Sequence, residues 1–173
     1  MTGLFAGALL SGLLAGILGG FAAVAPDSWR WAAFAVLVTV MLAFELAGRP
    51  LTLPQNSRAV PQTIIPDSNG SGPLQFGFEM GTGVRTFMPT ALPHALLVAV
   101  VLVGGILPGV GAGLGFGLGR ALMPLVRAGS ANPRGWDQRL LVSLRRIGIV
   151  CAAAFALTLA AFALHRWGPP GWR

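Results

Sequence analysis

The sequence predicts an all-α fold: a polytopic membrane helix bundle of about five transmembrane helices, forming a single integral membrane domain over 1–173. Three observations predict it. Hydrophobic residues make up 54% of the chain and charged residues 10%, where a soluble domain carries about 25% charged. Apolar runs recur at lengths that match the hydrocarbon thickness of a bilayer. Prolines and glycines collect between those runs and over 76–90, at the mouth of one of them, which predicts a broken segment, either re-entrant or a discontinuous helix.

The first span is expected over 3–24, an uncharged run long enough to cross about 30 Å of hydrocarbon as a helix. The "AVA" before Pro26 has the look of a signal-peptide cleavage site, but no positive residue precedes the run, which favours a retained span. "PDSWRW" then makes an interfacial turn, with Trp29 and Trp31 suited to the head-group region. A second span follows over 31–47, apolar until Glu45, which stands four residues before Arg49 and suits an i, i+4 ion pair.

Residues 48–73 hold five prolines. Each removes a backbone donor and biases its predecessor away from helical geometry, so this stretch is expected as a loop. Further spans are expected over 91–107, closed by Pro108, over 109–126 and over 147–164. Before the last, Asn132 and Pro133 suit a helix start. The leucines at 140, 141 and 144 could face lipid while arginines face water, which reads as an interfacial amphipathic helix leading into the fifth span.

The net charge of +7 comes entirely from arginine, because the chain has no lysine. These arginines flank apolar segments, so they point to the lipid bilayer and its anionic lipids as partners and not to nucleic acid. Seven arginines (49, 58, 127, 134, 139, 145 and 146) fall on the side of the N-terminus, against three (30, 166 and 173) on the other. The positive-inside rule then puts the N-terminus in the cytoplasm and the C-terminus outside. The richness in Ala, Gly and Arg suits a GC-rich bacterial genome, hence a bacterial inner membrane.

Small residues at a spacing of four let helices approach backbone to backbone. Gly12, Gly16 and Gly20 form such a stripe on the first span, and Gly111, Gly115 and Gly119 form one on the fourth. The glycines at 109, 113 and 117 lie nearly opposite the second stripe, so the fourth span is expected between two neighbours, within the bundle or in a homo-oligomer or membrane complex. The run does not fit a nucleotide loop. Its glycines from 109 to 119 are all odd-numbered, which excludes the dinucleotide spacing, and without lysine there is no Walker motif.

The candidate polar site is Glu79, Arg85, Thr86 and His94, with the helix broken around it by Gly81, Gly83, Pro89 and Pro93. Ionisable groups at membrane depth usually pair, face a cavity or mark an ion or proton path. Arg120, two turns from its helix end, is expected to snorkel toward the arginine-rich loop. Neither catalytic, cofactor nor metal residues are predicted: His94 and His165 are on different segments, Cys151 is the only cysteine, and no serine stands in a GxSxG elbow.

The stretch "FGFEMGTGVRTFMPTALPHALL" at 76–97, followed by a glycine-rich span and a final apolar span, resembles the second half of the CcdA/DsbD-type transmembrane family of cytochrome c biogenesis and thiol-reductant transporters. The resemblance implies part of a fold with two inverted three-helix repeats, each opening on a broken helix that carries one redox cysteine. The first two spans would then correspond to the family's second and third helices, with its first helix missing. Near the place of the second cysteine this chain reads "RTFMP", and Cys151 matches no motif position. Thiol exchange needs an attacking thiolate and a resolving partner, so a redox relay is disfavoured. The expectation is a non-enzymatic, transporter-like protein that moves or gates a small solute or ion, or else an accessory or assembly subunit of a larger membrane complex.

Overall fold

The computed structural model describes residues 1–49, 51, 71–83, 88 and 90–167. Every regular element in it is a helix: α1 (Thr2–Ala22), α2 (Asp27–Leu46), α3 (Ser71–Thr82), α4 (Leu92–Val103), α5 (Ile106–Ala128) and α6 (Pro133–Trp167). Four stretches are long and apolar enough to cross a membrane: Thr2–Ala22, Asp27–Leu46, Ile106–Ala128 and Pro133–Ala161. α4 is apolar but only 12 residues long.

The register between helices follows from what each glycine faces. Gly3 faces Leu74 and Phe78, Gly7 faces Phe78 and Thr82, and Gly81 faces Leu4, so α3 runs parallel to the first part of α1. Farther along, Gly16 faces Gly105 and Ile106, and Gly19 faces Val100. α4 therefore packs beside the second part of α1, and it runs antiparallel to α2, whose Arg30 reaches Leu102 and whose Glu45 reaches Ala91. α3 and α4 are both 12 residues long, about 18 Å each at 1.5 Å per residue, and share between them the neighbour that one continuous span would have had. α5 runs back antiparallel, with Gly109 and Gly113 against Gly12, and Gly117 against Ala8.

The second half of the bundle is packed differently. Phe34, Val38 and Ala95 form a buried cluster, surrounded by Trp31, Met41 and Leu42 of α2, Val98 and Leu102 of α4, and Phe155 and Leu159 of α6. The Trp31 and Phe34 rings meet edge to face at 5.5 Å, a favoured aromatic geometry. α2 also holds both ends of α4. Glu45 Oε2 accepts from the Ala91 backbone N–H at 2.8 Å, and Arg30 Nε donates to the Leu102 carbonyl at 2.7 Å. A carboxylate at the start and a guanidinium at the end match the helix dipole and occupy groups that have no partner inside the helix. Glu45 thus serves α4 rather than the expected pair with Arg49.

Several boundaries differ from expectation, each for a local reason. Ser71, Gly72 and Pro73, placed in the loop 48–73, open α3; a proline in the first turn removes an N–H that has no helical partner anyway. The α4–α5 division falls at Gly104 and Gly105, where Gly105 has φ +151, so Pro108 sits in the first turn of α5 instead of closing the preceding span. The helix break falls at Gly83, with φ +72, whereas Gly81 lies inside α3. The interfacial helix and the span 147–164 are one 35-residue helix, about 52 Å long. Between 134 and 147 only Gly135 and no proline interrupts it, and single glycines weaken a helix by only about 1 kcal/mol each.

Large apolar side chains cover the outside, among them Leu14, Leu18, Phe21, Val36, Leu118 and Val150. A surface of this kind suits lipid, where apolar exposure carries no penalty.

Candidate functional site

The break between α3 and α4 borders a cavity of about 800 Å³. Its floor is α1, through Ala8, Ser11, Gly12 and Ala15. Three of those four residues are small and apolar, so the helix leaves volume where larger side chains would fill it. Thr82, Gly83 and Met88 lie at the break end, Pro93, His94, Leu97 and Val100 come from α4, and Ala112, Gly113 and Phe116 from α5.

Two hydroxyls fix the break. Ser11 Oγ donates to the Thr82 carbonyl at 3.0 Å, and Thr82 Oγ1 donates to the Glu79 carbonyl at 2.9 Å. Both acceptors belong to the last turn of α3, whose carbonyls have no onward helical partner. Gly83 then turns the chain with a backbone angle that L side chains rarely adopt, and a methyl group there would meet Met88 Cε at 2.9 Å and Phe116 Cζ at 3.4 Å. The chain resumes as α4, with Pro93 in its first turn.

The structure separates the residues singled out from the sequence. His94, Gly83, Pro93 and Gly12 line the cavity. Glu79 is half-buried beside it, and its Oε1 accepts from Gln75 Nε2 at 3.2 Å. Gly81 packs on the Leu4 backbone. Arg85, Thr86 and Pro89 lie outside the described residues. Gly12 and Gly16 stand at the crossing of α1 and α5, but Gly20 meets no described residue, and Gly19 makes the contact expected of it. On α5 the buried face is Gly109, Gly113 and Gly117, while Gly111, Gly115 and Gly119 also meet no described residue.

Arg120 is placed differently from its expected reach toward the arginine-rich loop. Its guanidinium lies 5.5 Å from the Phe116 ring centroid, a cation–π distance, and Nη2 approaches Met80 Sδ at 3.9 Å. Nε is buried without a hydrogen-bond partner among the described residues. The i, i+4 spacing of Phe116 and Arg120 was the sequence signal for this contact. Ser11 and Thr82 also carry site geometry that sequence reasoning passed over. Ser11 was visible as the one polar residue of an apolar span; Thr82 was hidden among the glycines of "GTG".

At the far end of α5, Arg127 holds Asp137 of α6 with a two-point contact at 2.8 and 2.9 Å. Cys151 is exposed on α6, away from the cavity lining. Among the described residues no group of three or more His, Cys, Asp or Glu side chains stands close enough to hold a metal ion. The cavity therefore offers shape, apolar surface and a few hydrogen-bonding groups, which is the equipment of a binding site. Comparisons with protein-family models, with curated proteins and with solved structures each returned no match.

Proposed function

We propose that this is a five-pass membrane protein whose third crossing is the broken pair α3–α4, and that it binds a small solute in the cavity at the break and moves it. The observation that carries the reading is the break itself. Two half-helices lie along one partner helix and meet beside a cavity of about 800 Å³. Irregular backbone at membrane depth is tolerated where it lines a cavity, and transporters place their sites at such discontinuities. An odd number of crossings leaves the two termini on opposite sides, and on this reading the arginine tally assigns the N-terminus to the cytoplasm and the C-terminus to the outside of a bacterial inner membrane. The reading is non-catalytic and needs no cofactor.

The test is uptake into proteoliposomes of a panel of labelled ions and small neutral and charged solutes. Protein-dependent uptake of one of them, lost in Glu79→Gln or Arg85→Ala at normal expression, supports transport. Uptake no faster than in empty liposomes across the panel, or unaltered flux in both variants, counts against it.

A second reading, a subunit of a larger membrane complex, is favoured by one observation. The Gly111, Gly115 and Gly119 face of α5 has no described residue packed on it, although glycine at that spacing suits close helix approach. Purification in a gentle detergent that yields only a lone monomer would count against this reading. The likeness to the CcdA/DsbD-type family is proposed at the level of fold alone, on the order broken helix, glycine-rich helix, final apolar helix. Redox relay is the least supported reading, and full activity of Cys151→Ser would end it.

A further inference from the structure

We infer that α2 and α4 form one rigid arm that swings on a hinge at Gly104 and Gly105, and that the swing widens and narrows the cavity at the α3–α4 break. The inference rests on the reading of the cavity as a solute site for its purpose and names the movement that governs that site; the movement itself is tested without a solute.

The arm is defined by what holds α4. Glu45 Oε2 accepts from the Ala91 N–H at 2.8 Å, Arg30 Nε donates to the Leu102 carbonyl at 2.7 Å, and Phe34, Val38 and Ala95 are buried together between these two ties. Hydrogen bonds with a charged partner are stronger than neutral ones, so α4 is fixed to α2 at both ends. The core is α1, α3 and α5, whose helices meet backbone to backbone: Gly3 on Leu74, Gly81 on Leu4, and Gly12 on Gly109. Helices packed that closely cannot rock on one another without collision.

The connections put the hinge at one end. Residues 23–26 join α1 to α2, and Gly104 and Gly105 join α4 to α5. The start of α2 and the end of α4 lie together where Arg30 meets Leu102, and Gly16 beside Ile106 with Gly19 beside Val100 brings both to the far end of α1. Two short links at the same end define an axis of rotation. Gly105 has φ +151, in a region that is essentially glycine's alone, and no described residue stands within 4 Å of where its side chain would be. Such a residue absorbs a change of backbone angle at little cost.

The cavity lies across this joint. Ala8, Ser11 and Gly12 of α1 and Phe116 of α5 border it from the core, and His94 and Leu97 of α4 border it from the arm. α4 is about 18 Å long, so a turn of about 15° at its end carries its start by about 5 Å. Residues 83–91, which join α3 to that moving start, can reach about 30 Å. α6 braces the arm in the described position: Gly148 stands against Glu45, and Phe155 and Leu159 pack on the α2–α4 cluster. The other end of the brace is tied to α5 by Arg127 and Asp137.

The experiment is spin-label distance measurement on the full chain in lipid nanodiscs, with Cys151→Ser as background and labels on paired cysteines. Leu46→Cys with Leu118→Cys spans from the moving end of the arm to the core; Leu37→Cys with Leu97→Cys lies within the arm. All four positions are exposed. The first pair is expected to give two populations whose separations differ by about 5 Å or more, and the second pair only one. Gly105→Ala, strained at its backbone angle, should deplete the population that matches the described structure by about five-fold or more. Asp137→Asn, which loosens the brace, should enlarge the other population by about two-fold or more. Gly20→Ala, on a helical backbone with no described residue near it, should leave the ratio unaltered. A thermal melt close to that of the parent shows that a variant is folded; if Gly105→Ala is not, the labelled parent and Asp137→Asn decide.

A single narrow arm-to-core distance in the parent and its variants would overturn the inference. Two populations for the pair within the arm would show α4 moving without α2 and overturn the arm. A ratio that Gly105→Ala leaves unaltered, or that Gly20→Ala alters as much, would overturn the placing of the hinge, and an unaltered ratio in Asp137→Asn would remove the brace. Each of these failures leaves the solute reading standing, which the liposome uptake assay judges on its own.

Discussion

An added side chain has different expected effects on the two faces of α5. At Gly113 the space is taken by Ala8 and Gly12 of α1, whereas at Gly115 no described residue stands within 4 Å. Gly113→Leu should therefore destabilise the folded chain by about 3 kcal/mol or more through overpacking, while Gly115→Leu should leave the melting temperature of the monomer unaltered in a detergent thermal-shift measurement. Ser11→Ala, which removes the hydrogen bond to the Thr82 carbonyl, should cost about 1 kcal/mol in the same measurement. These contrasts also mark how far the residues could be read in advance. Alternating glycines announce a closely packed helix but give two chemically identical faces, and the choice between them is made by where α1 presents its own small residues. Ser11 was conspicuous by being polar in an apolar run; that its hydrogen bond would reach 71 residues along the chain has no local signature.

Among elements, α4 shows most clearly how a segment too short to stand alone is held in place. Isolated helices of this length are marginal because nucleation is costly, and α4 is secured by Glu45 at its start and Arg30 at its end. Glu45→Ala should cost about 1 kcal/mol, the typical worth of an N-terminal cap, and should raise hydrogen exchange at Ala91 ahead of the rest of the chain. Gly83→Ala should cost about 1–2 kcal/mol for the left-handed backbone alone, seen as a lower melting temperature, with Met88 forced to move. The apolar runs were legible because periodicity and length report them directly. The missed boundaries share a cause: a proline counts as a helix breaker only in the interior, and Pro73 and Pro108 both sit in first turns. Glu45 was misassigned because an i, i+4 neighbour is visible in the sequence, whereas the start of a helix 46 residues away is not.

For the molecule as a whole, the crossing count is decided by whether α3 and α4 act as one pass. Five passes place the two termini on opposite sides. A fluorescent-protein fusion at the N-terminus and an alkaline phosphatase fusion at the C-terminus should then both be active in bacterial cells; an inactive phosphatase with a fluorescent C-terminal fusion would instead require an even number of crossings. The length of α6 adds an electrostatic consequence. Arg145 lies beside Gly48, just past the end of α2, and about 17 Å of helix at 1.5 Å per residue separates it from Arg134. That distance is about two Debye lengths at physiological salt. On the proposed topology, with α6 upright in a bilayer that carries anionic head groups, Arg145 and Arg146 would lie within their range and Arg134 beyond it, so the helix would act as a graded ruler of surface potential: lowering the ionic strength would extend the membrane's pull from the inner arginines to the outer one.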